Sequence, residues 1–324
     1  VGRSGQVSPD PDMPQILEEN ELDVPDETFE KYVMNAHVFA RVSPGTKLKI
    51  AKILQKKGKL IGMTGDGVND APALKTADVG IAMGKKGTDV AKDAAEIVLS
   101  DDNFASIVDA IREGRIVFQN VRQTSFFLVT TNFASTSTLI TAIAIGLPYP
   151  LLATQILWIN LVTDGIMDIS LATEPGQDEV MNRKPVKKDE QILNKQIFPY
   201  LFIIVPIMIA LAVGVFQHYL PQSVEKARTG AFLIVAMTQV FNALNMRSLE
   251  KSVFKIGLFK NKWLNIAFVA SFILQYFAIK MPFMQKLFHF RDISWTDIFV
   301  ITLLSASVFV FGELYKFIRN QLRK

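Results

Sequence analysis

Long apolar stretches follow one another from about residue 120 to the end of the chain, with polar connections between them. Each has roughly the 20 residues that a helix needs to cross the ~30 Å hydrocarbon core of a bilayer. The six stretches lie near residues 120–145, 151–172, 197–217, 229–245, 263–281 and 296–317. This pattern predicts an all-α transmembrane bundle of six helices.

The first part of the chain has a different pattern, in which short apolar runs alternate with amphipathic segments. An alternating order of strands and helices predicts a parallel sheet with helices on both faces. Residues 1 to about 30 are acidic and proline-rich, and we expect loops and a short helix there. The pattern predicts strands at 36–42, 59–63, 79–83 and 96–99, and helices at 45–57, 70–76 and 88–94.

The two patterns meet in one predicted helix. Residues 104–118 have the apolar spacing of an amphipathic helix, and no proline separates them from the apolar run at 121–145. We therefore expect a nearly continuous helix that enters the membrane, with a soluble domain at 1–115 and a membrane domain at 116–324.

Lysine and arginine are unevenly distributed among the connections. The connections 173–196 and 246–262 have five each, and the C-terminal tail adds Arg319, Arg323 and Lys324, whereas the intervening connections have at most three. Basic residues favour the cytoplasmic side of a membrane. The N-terminal region and the C-terminus are thus predicted to be cytoplasmic in a multi-pass membrane protein.

Composition excludes several classes of function. The 324 residues are 49% hydrophobic with a net charge of +4, and the basic residues show no nucleic-acid motif. The absence of cysteine excludes disulfides, thiol catalysis and thiolate metal sites, and the three histidines have no zinc spacing. Because the chain begins without Met and without a signal peptide, we expect it to start inside a longer protein.

A polar cluster follows the predicted strand at 59–63. Asp66, Asn69 and Asp70 lie at helix-turn spacing, beyond the carboxyl end of the strand, where open parallel sheets place their ligands. One or two carboxylates with water and phosphate oxygens are what Mg²⁺ prefers. An ordinary Asp/Gly turn is the simpler alternative. The candidate cofactor-binding residues of this loop are Thr64, Gly65 and Gly67, of which the glycines permit close backbone approach.

The string TGDGVNDAPAL, followed by ADVGIAMG, resembles the hinge motif of the P-type cation-transporting ATPases. That motif belongs to their phosphorylation domain, whose fold is similar to haloacid dehalogenases. The resemblance implies that Asp66 binds Mg²⁺, that Asn69 and Asp70 support the metal and phosphate site, and that Lys47 in VSPGTK contacts the phosphoryl group. By itself, Lys47 would more commonly be a solvated surface charge.

The second apolar span contains ionisable residues, which are costly in a membrane and usually functional. Asn160, Asp164 and Asp168 recur every four residues and share one helical face with Thr163 nearby, while Gly165 weakens the helix. Transporters use locally unwound spans of this kind as cation sites. Neighbouring spans offer further oxygen ligands, for which interhelical hydrogen bonds are the alternative: Asn132, Ser135, Thr136, Gln239 and Asn242.

The strings PLLATQILWINL, NLVTDG, ALN and GELYK resemble the type IIA and IIB calcium pumps. The resemblance implies that Asn160 and Asp164 ligate the cytoplasmic-side calcium ion, and it matches Asn132, Thr163 and Gln239 to a second site. The sarcoplasmic-reticulum type has glutamates where this chain has Ser135 and Gln239. We therefore expect one Ca²⁺ per cycle, with Asp168 as an extra carboxylate that holds a counter-transported proton or compensates in a rebuilt site.

A working pump also needs the aspartate of a DKTGT motif, a nucleotide domain, an actuator domain and four further spans, none of which is in this sequence. We expect the C-terminal part of an ATP-driven Ca²⁺-exporting pump that forms an aspartyl-phosphate and is inactive without its N-terminal half. Its partners would be the lipid bilayer, the transported cation and that half, with Mg²⁺ and ATP as cofactors and no nucleic acid. The alternatives are a pump for Na⁺, K⁺, H⁺ or Mn²⁺, and a truncated product that serves as a regulatory or assembly subunit.

Overall fold

The computed structural model describes residues 16–18, 22–176, 179–183, 185–186 and 190–322. The chain divides into two compact units, which are described separately below. The first consists of Val1–Ile111 with Pro185–Asp189, and the second of Arg112–Lys184 with Glu190–Lys324. The predicted loops at 1–15 and 19–21 lie outside the described residues, as do Lys184, Lys187, Lys188, Arg323 and Lys324 of the predicted basic connections.

The first unit alternates strands and helices, as the sequence predicts, but its strands form two parallel sheets instead of one. β1 (Ile16–Glu18), a strand that the sequence pattern did not indicate, pairs with β2 (Val38–Ala40). The other sheet has the order β3–β4–β5. Its strands are β3 (Gly62–Gly65), β4 (Val79–Met83) and β5 (Ile97–Leu99).

Four short helices complete the described part of this unit. They are α1 (Asp26–Asn35), α2 (Pro44–Lys56), α3 (Ala71–Thr76) and α4 (Asp89–Ala94). The start of α2 is fixed by the Ser43 hydroxyl, which accepts a hydrogen bond from the Thr46 N–H at 3.2 Å, and by proline in the first turn. α2 ends before Gly58, whose φ of +76° favours glycine. These signals place Lys47 in the first turns of α2.

The second unit is helical. Its first helix, α5 (Ala105–Ala144), has 40 residues and begins in the last residues of the first unit, in agreement with the predicted continuous helix. The later helices are α6 (Ala153–Trp158), α7 (Gly165–Ala172), α8 (Phe198–Tyr219), α9 (Val224–Met246), α10 (Val253–Ile256), α11 (Lys262–Lys280), α12 (Pro282–Phe288) and α13 (Trp295–Leu322).

Five helices of the described chain are long and apolar enough to span a membrane: α5, α8, α9, α11 and α13. The predicted span at 151–172 is helical over most of its length, but it consists of α6, a π-helical piece at Ile159–Asp164, and α7. None of these pieces reaches 18 residues, so the count of six spans stays a prediction.

α9 is the central helix of the second unit. In its most apolar window 94% of the residues are buried, whereas 39% or fewer are buried in the equivalent windows of the other four long helices. Apolar side chains of α8, α9 and α13 pack together in the core, and α11 adds Leu264 and Ala267. The other long helices therefore present apolar faces outward, as expected of helices that contact lipid.

Candidate functional site

The TGDG loop folds around the carboxylate of Asp70. Residues Val68–Asp70 make one 3-10 turn between β3 and α3. The Asp70 carboxylate accepts hydrogen bonds from the backbone N–H groups of Asp66 at 3.4 Å and Gly67 at 3.3 Å. A Cβ on Gly65 would lie 2.5 Å from the Asp70 Cβ, so glycine is required there. The loop thereby presents Asp66 at the carboxyl end of β3.

Lys47 faces this loop from α2. Its Nζ lies 3.8 Å from the Asp70 Oδ1, and 41% of its side chain is exposed. The ion pair is too long and too open to satisfy the ammonium group, which is therefore available to an anion. The structure thus brings together Lys47 and Asp70, as the sequence predicts.

A cavity of about 300 Å³ opens at this edge of the sheet. Predicted residues that line it are Lys47, Thr64, Gly65, Asp66 and Asp70. Two other predicted residues, Asn69 and Gly67, are not among its lining residues, and Asn69 is exposed. The opposite wall was not predicted from the sequence. It is formed by Met83, Lys86, Asp102 and Phe104.

That second wall is held in place by Asp102. Its carboxylate accepts hydrogen bonds from the backbone N–H groups of Lys85 and Lys86, both at 2.9 Å, and these bonds, chiefly that of Lys85, hold the pKa of Asp102 below its usual range. The Thr88 N–H donates to the Asp66 carbonyl at 2.9 Å. A lysine pair in a glycine-flanked turn after β4 is the sequence signal that could have indicated this wall.

The cavity has the donor set of a site for Mg²⁺ and phosphate. Two carboxylates, of Asp66 and Asp70, face two lysines, Lys47 and Lys86. Among the described residues no group of three or more His, Cys, Asp or Glu side chains could hold a metal ion. A metal here would depend on the two carboxylates together with water and phosphate oxygens, which is the usual arrangement for Mg²⁺.

In the second unit, the helix that carries the predicted cation ligands is irregular where those ligands lie. The π-helical piece Ile159–Asp164 includes Asn160, Thr163 and Asp164, and Gly165 begins α7. π-Helical turns inside α-helices are rare and are frequently found at functional sites. The sequence indicated a weakened helix at this point, but not its π geometry.

Asp164 is buried, with 2% of its surface exposed. Its Oδ2 accepts a weak hydrogen bond from the Thr131 hydroxyl of α5 at 3.4 Å, and its Oδ1 has no partner among the described residues. The Oδ1 of Asp168 is buried and equally without a partner in the described chain. Thr131 was not among the predicted ligands. Two carboxylate oxygens therefore face the interior without donors.

Two amides join the neighbouring helices to this region. Gln239 of α9 donates from Nε2 to the Ser135 hydroxyl at 3.1 Å, and its buried Oε1 lacks a donor in the described chain. Gln275 of α11 donates to the Thr163 hydroxyl at 2.7 Å and accepts from the Trp158 indole at 3.0 Å. Gln275, which the sequence pattern did not indicate, thus fixes Thr163.

Three other predicted residues, Asn132, Asn160 and Asn242, have different surroundings. Asn132 is exposed and its amide donates to the Leu128 carbonyl of its own helix at 2.9 Å; Asn160 is also exposed. Asn242 accepts a hydrogen bond from the Tyr200 hydroxyl at 2.5 Å, in agreement with the alternative of an interhelical hydrogen bond. Hydrogen bonds in the described structure thus link Thr131 to Asp164, Ser135 to Gln239 and Gln275 to Thr163.

Buried acceptors without donors are rare in native proteins because each costs desolvation free energy. The unpaired oxygens of Asp164, Asp168 and Gln239 belong to three side chains of the same helical unit. A hard cation is bound by carboxylate and amide oxygens of this kind. The region is therefore chemically suited to a metal cation or another cationic ligand.

Comparison with known proteins matches two family models to this chain. The cation transporting ATPase C-terminus family matches residues 148–318, and the haloacid dehalogenase-like hydrolase family matches residues 46–111. The calcium-transporting ATPase 1 of Yarrowia lipolytica is 40% identical over 90% of this chain and 32% of its own length. The protein of that name from Bacillus cereus is 37% identical over 94% of this chain and 36% of its own length.

The calcium-transporting ATPase type 2C member 2 of Rattus norvegicus is 38% identical over 88% of this chain and 30% of its own length. The chain therefore spans about a third of the length of the curated relatives it matches. The haloacid dehalogenase-like match falls in the α/β unit, and the ATPase C-terminus match falls on the membrane-capable helices that follow α5. The chain belongs to the P-type cation-transporting ATPases, with a haloacid dehalogenase-like segment ahead of the C-terminal membrane helices.

Proposed function

We propose that this chain is the C-terminal part of an ATP-driven pump that exports Ca²⁺ from the cytoplasm. The observation that carries the proposal is the buried Oδ1 of Asp164, which has no donor among the described residues and lies in the π-helical piece of an apolar helical unit. A divalent cation with oxygen ligands would satisfy it. The names of the relatives, which are calcium-transporting ATPases, support Ca²⁺ as the ion.

In this proposal residues 1–115 are the second half of the phosphorylation domain and residues 116–324 are a membrane domain of six spans. The interrupted helix is the sixth span. Its three pieces run from Ala153 to Ala172, a length that at 1.5 Å per residue approaches the ~30 Å hydrocarbon core. The basic connections favour cytoplasmic termini. The partners are the bilayer, the transported cation and the N-terminal remainder of the pump.

The cavity beside β3 would serve phosphoryl transfer. Asp66 would hold Mg²⁺, Asp70 and Asn69 would support the metal and phosphate, and Lys47 would contact the phosphoryl group. The candidate backbone contributors are Thr64, Gly65 and Gly67. Bound Mg²⁺ supplies positive charge that offsets the charge on the transferring phosphoryl oxygens. ATP and the phosphorylated aspartate would be provided mainly by parts of the pump outside this chain.

The cation would bind at the π-helical turn. Asp164 would be the central ligand, with Asn160 and Thr163 beside it, and Asp168 would add a carboxylate one turn further along. Asn132 and Gln239 remain candidate ligands, as does Ser135. Because Ser135 and Gln239 are uncharged and bond to each other, we propose that one Ca²⁺ is carried per cycle.

α5 would couple the two sites. It begins at Ala105, directly after Phe104, which lines the phosphate cavity, and the same helix carries Thr131, which bonds to Asp164. Phosphorylation at the cavity would then act on the cation region through this continuous helix. The affinity of the cation site would then depend on the phosphorylation state.

The test is the ATPase activity of the complete pump against a panel of cations. Stimulation by micromolar Ca²⁺, abolished in Asp164→Asn, is the expected result. Asp292→Asn, which alters an exposed carboxylate paired with Lys280, is the control and should keep the activity. Stimulation by Na⁺ and not by micromolar Ca²⁺ would overturn the calcium assignment.

A further inference from the structure

A second charged cluster lies at the C-terminal end of α7, the helix that carries Asp168. Glu174 follows α7 by two residues and is 6% exposed. Its carboxylate pairs with Arg247, which follows α9 and is 1% exposed. A buried ion pair of this kind is expensive to desolvate, so its retention needs a reason beyond stability.

All three nitrogens of the Arg247 guanidinium donate hydrogen bonds. Its Nε donates to both Glu174 carboxylate oxygens, at 2.9 and 3.1 Å, and one terminal nitrogen donates to the Glu174 Oε1 at 2.7 Å. The other terminal nitrogen donates to the carbonyls of Gly257 and Leu258, at 3.0 and 3.3 Å. Arg247 thereby joins the end of α9 to the segment after α7 and to the turn before α11.

Two asparagines complete the cluster. Asn261, the N-cap of α11, donates from Nδ2 to the Glu174 Oε2 at 2.7 Å and to the Ser170 carbonyl of α7 at 2.9 Å. Asn120 of α5 donates to the carbonyls of Ala172 and Glu174, at 3.1 and 2.9 Å. These bonds satisfy carbonyls that the end of α7 leaves without helical partners.

The helices joined at Glu174 are the helices that bring polar groups to the cation region. α5 contributes Thr131 and Ser135, and α9 contributes Gln239. α11 contributes Gln275, which fixes Thr163. The fourth element is the segment that ends in α7 and carries Thr163, Asp164 and Asp168. The Glu174 carboxylate therefore contacts Arg247 after α9 and Asn261 of α11, while Asn120 of α5 bonds to the backbone carbonyls of Ala172 and Glu174.

We propose that Glu174 is a positioning residue for the transported cation: by holding the end of α7 against α9 and α11, its carboxylate sets the position of Asp164 and Asp168. This inference rests on the proposed transport function. Glu174 touches neither proposed ligand, so it acts through the placement of α7. Residues that orient metal ligands without contacting the metal typically change metal affinity by 10- to 100-fold when mutated.

The experiment measures cation binding to the complete pump in two ways. One is the cation concentration that half-activates the ATPase, and the other is the cation concentration that half-saturates the change in tryptophan fluorescence, since Trp158 bonds to Gln275 beside Thr163. Glu174→Gln keeps the side-chain length but loses the charge that faces Arg247. We expect both concentrations to rise by about tenfold, with a smaller change in maximal activity.

Two further variants separate positioning from folding. The double variant Glu174→Met with Arg247→Met removes both charges, so no unpaired charge stays buried and the fold is preserved; its half-saturating concentrations should remain raised. Arg247→Lys keeps the charge but cannot reach the carboxylate and both carbonyls, so it should give an intermediate shift. Glu179→Gln breaks the exposed Glu179–Lys251 pair (2.8 Å) and is the matched control.

Unchanged half-saturating concentrations in Glu174→Gln and in the double variant would overturn the proposal, and so would an equal shift in Glu179→Gln. Both measurements use whichever cation stimulates the wild-type pump. Failure of the calcium assignment therefore changes only the ion in the assay, and the ratio of variant to wild type still decides the role of Glu174.

Discussion

The side chain of Gln239 on α9 donates a hydrogen bond to the Ser135 hydroxyl on α5 at 3.1 Å, within the region of unpaired buried oxygens. An uncharged pair occupies these positions, where the resemblance to sarcoplasmic-reticulum calcium pumps implies carboxylates. The pair links two helices and leaves the Gln239 Oε1 as a neutral acceptor. A transported cation would then face fewer negative charges than two carboxylates at these positions would supply.

The first prediction concerns this pair. In a double-mutant cycle with Ser135→Ala and Gln239→Leu, the two changes should couple by about 0.6 kcal/mol in stability, the average for interhelical hydrogen bonds in membranes. Ca²⁺ stoichiometry, measured as ions transported per ATP, should stay at the wild-type value in all variants because neither residue carries charge. A drop in the number of ions transported per ATP in Gln239→Leu would show that Gln239 binds a separate ion.

The second prediction concerns Gly65. A methyl group on this residue would lie 2.5 Å from the Asp70 Cβ, whereas a methyl group on Gly62, in the same strand, would meet nothing within 4 Å. Gly65→Ala should destabilise the unit by about 1–3 kcal/mol, the usual cost of overpacking, and should displace Asp70 from the loop. Thermal unfolding and phosphorylation by inorganic phosphate measure the two effects.

Gly62→Ala is the control for this comparison and should behave as wild type in both assays. Equal losses in the two variants would mean that β3 tolerates no side chain, and the tight contact with Asp70 would not be the cause.

The sequence predicts those parts of the fold that depend on local pattern. The apolar periodicity defines α5 to within a residue or two of Ala105–Ala144, and the helix predicted at 45–57 agrees to within one residue with α2. The strand β1 was missed because three residues supply too little periodicity. Its pairing with β2 is a tertiary contact, which local sequence pattern does not encode. Whether a short strand forms depends on how its side chains pack against the neighbouring strand.

The same limit applies to the sites. Asp66, Asp70 and Asp164 are predictable because a carboxylate at a strand end or in an apolar span is chemically unusual. Gln275 and Thr131 look like ordinary polar residues of membrane helices, and only the packing of α11 and α5 shows what they contact. Asn132 was predicted as a ligand, yet within the described chain its amide bonds only to its own helix.

The third prediction tests the unpaired carboxylate of Asp168. Asp168→Asn should raise the cation concentration for half-maximal ATPase activity by about tenfold if this oxygen helps to bind the cation. It should also change the pH dependence of transport if the carboxylate carries a proton in the return step. Ser305→Ala is the control, because that buried hydroxyl already bonds to the Ile301 carbonyl at 2.8 Å. Unchanged affinity and an unchanged pH profile in Asp168→Asn would remove both roles.

The last prediction tests the wall of the phosphate cavity that the sequence did not indicate. Lys85 and Lys86 are adjacent, both are exposed, and both donate backbone N–H groups to the Asp102 carboxylate, but only Lys86 lines the cavity. Lys86→Ala should weaken the inhibition of the complete pump by vanadate, an analogue of phosphate, by several-fold, a loss of about 1 kcal/mol for a partly exposed charge pair.

Lys85→Ala removes the same charge from the same turn and keeps the backbone bonds to Asp102, so it should leave vanadate inhibition close to wild type. The effect of Lys86→Ala should also shrink at high ionic strength, because exposed charges are screened over about 10 Å at 0.1 M salt. If the two variants lose vanadate affinity to the same extent, the general positive charge of the turn attracts the anion. If neither does, Lys47 alone supplies the cationic contact on this side of the phosphate.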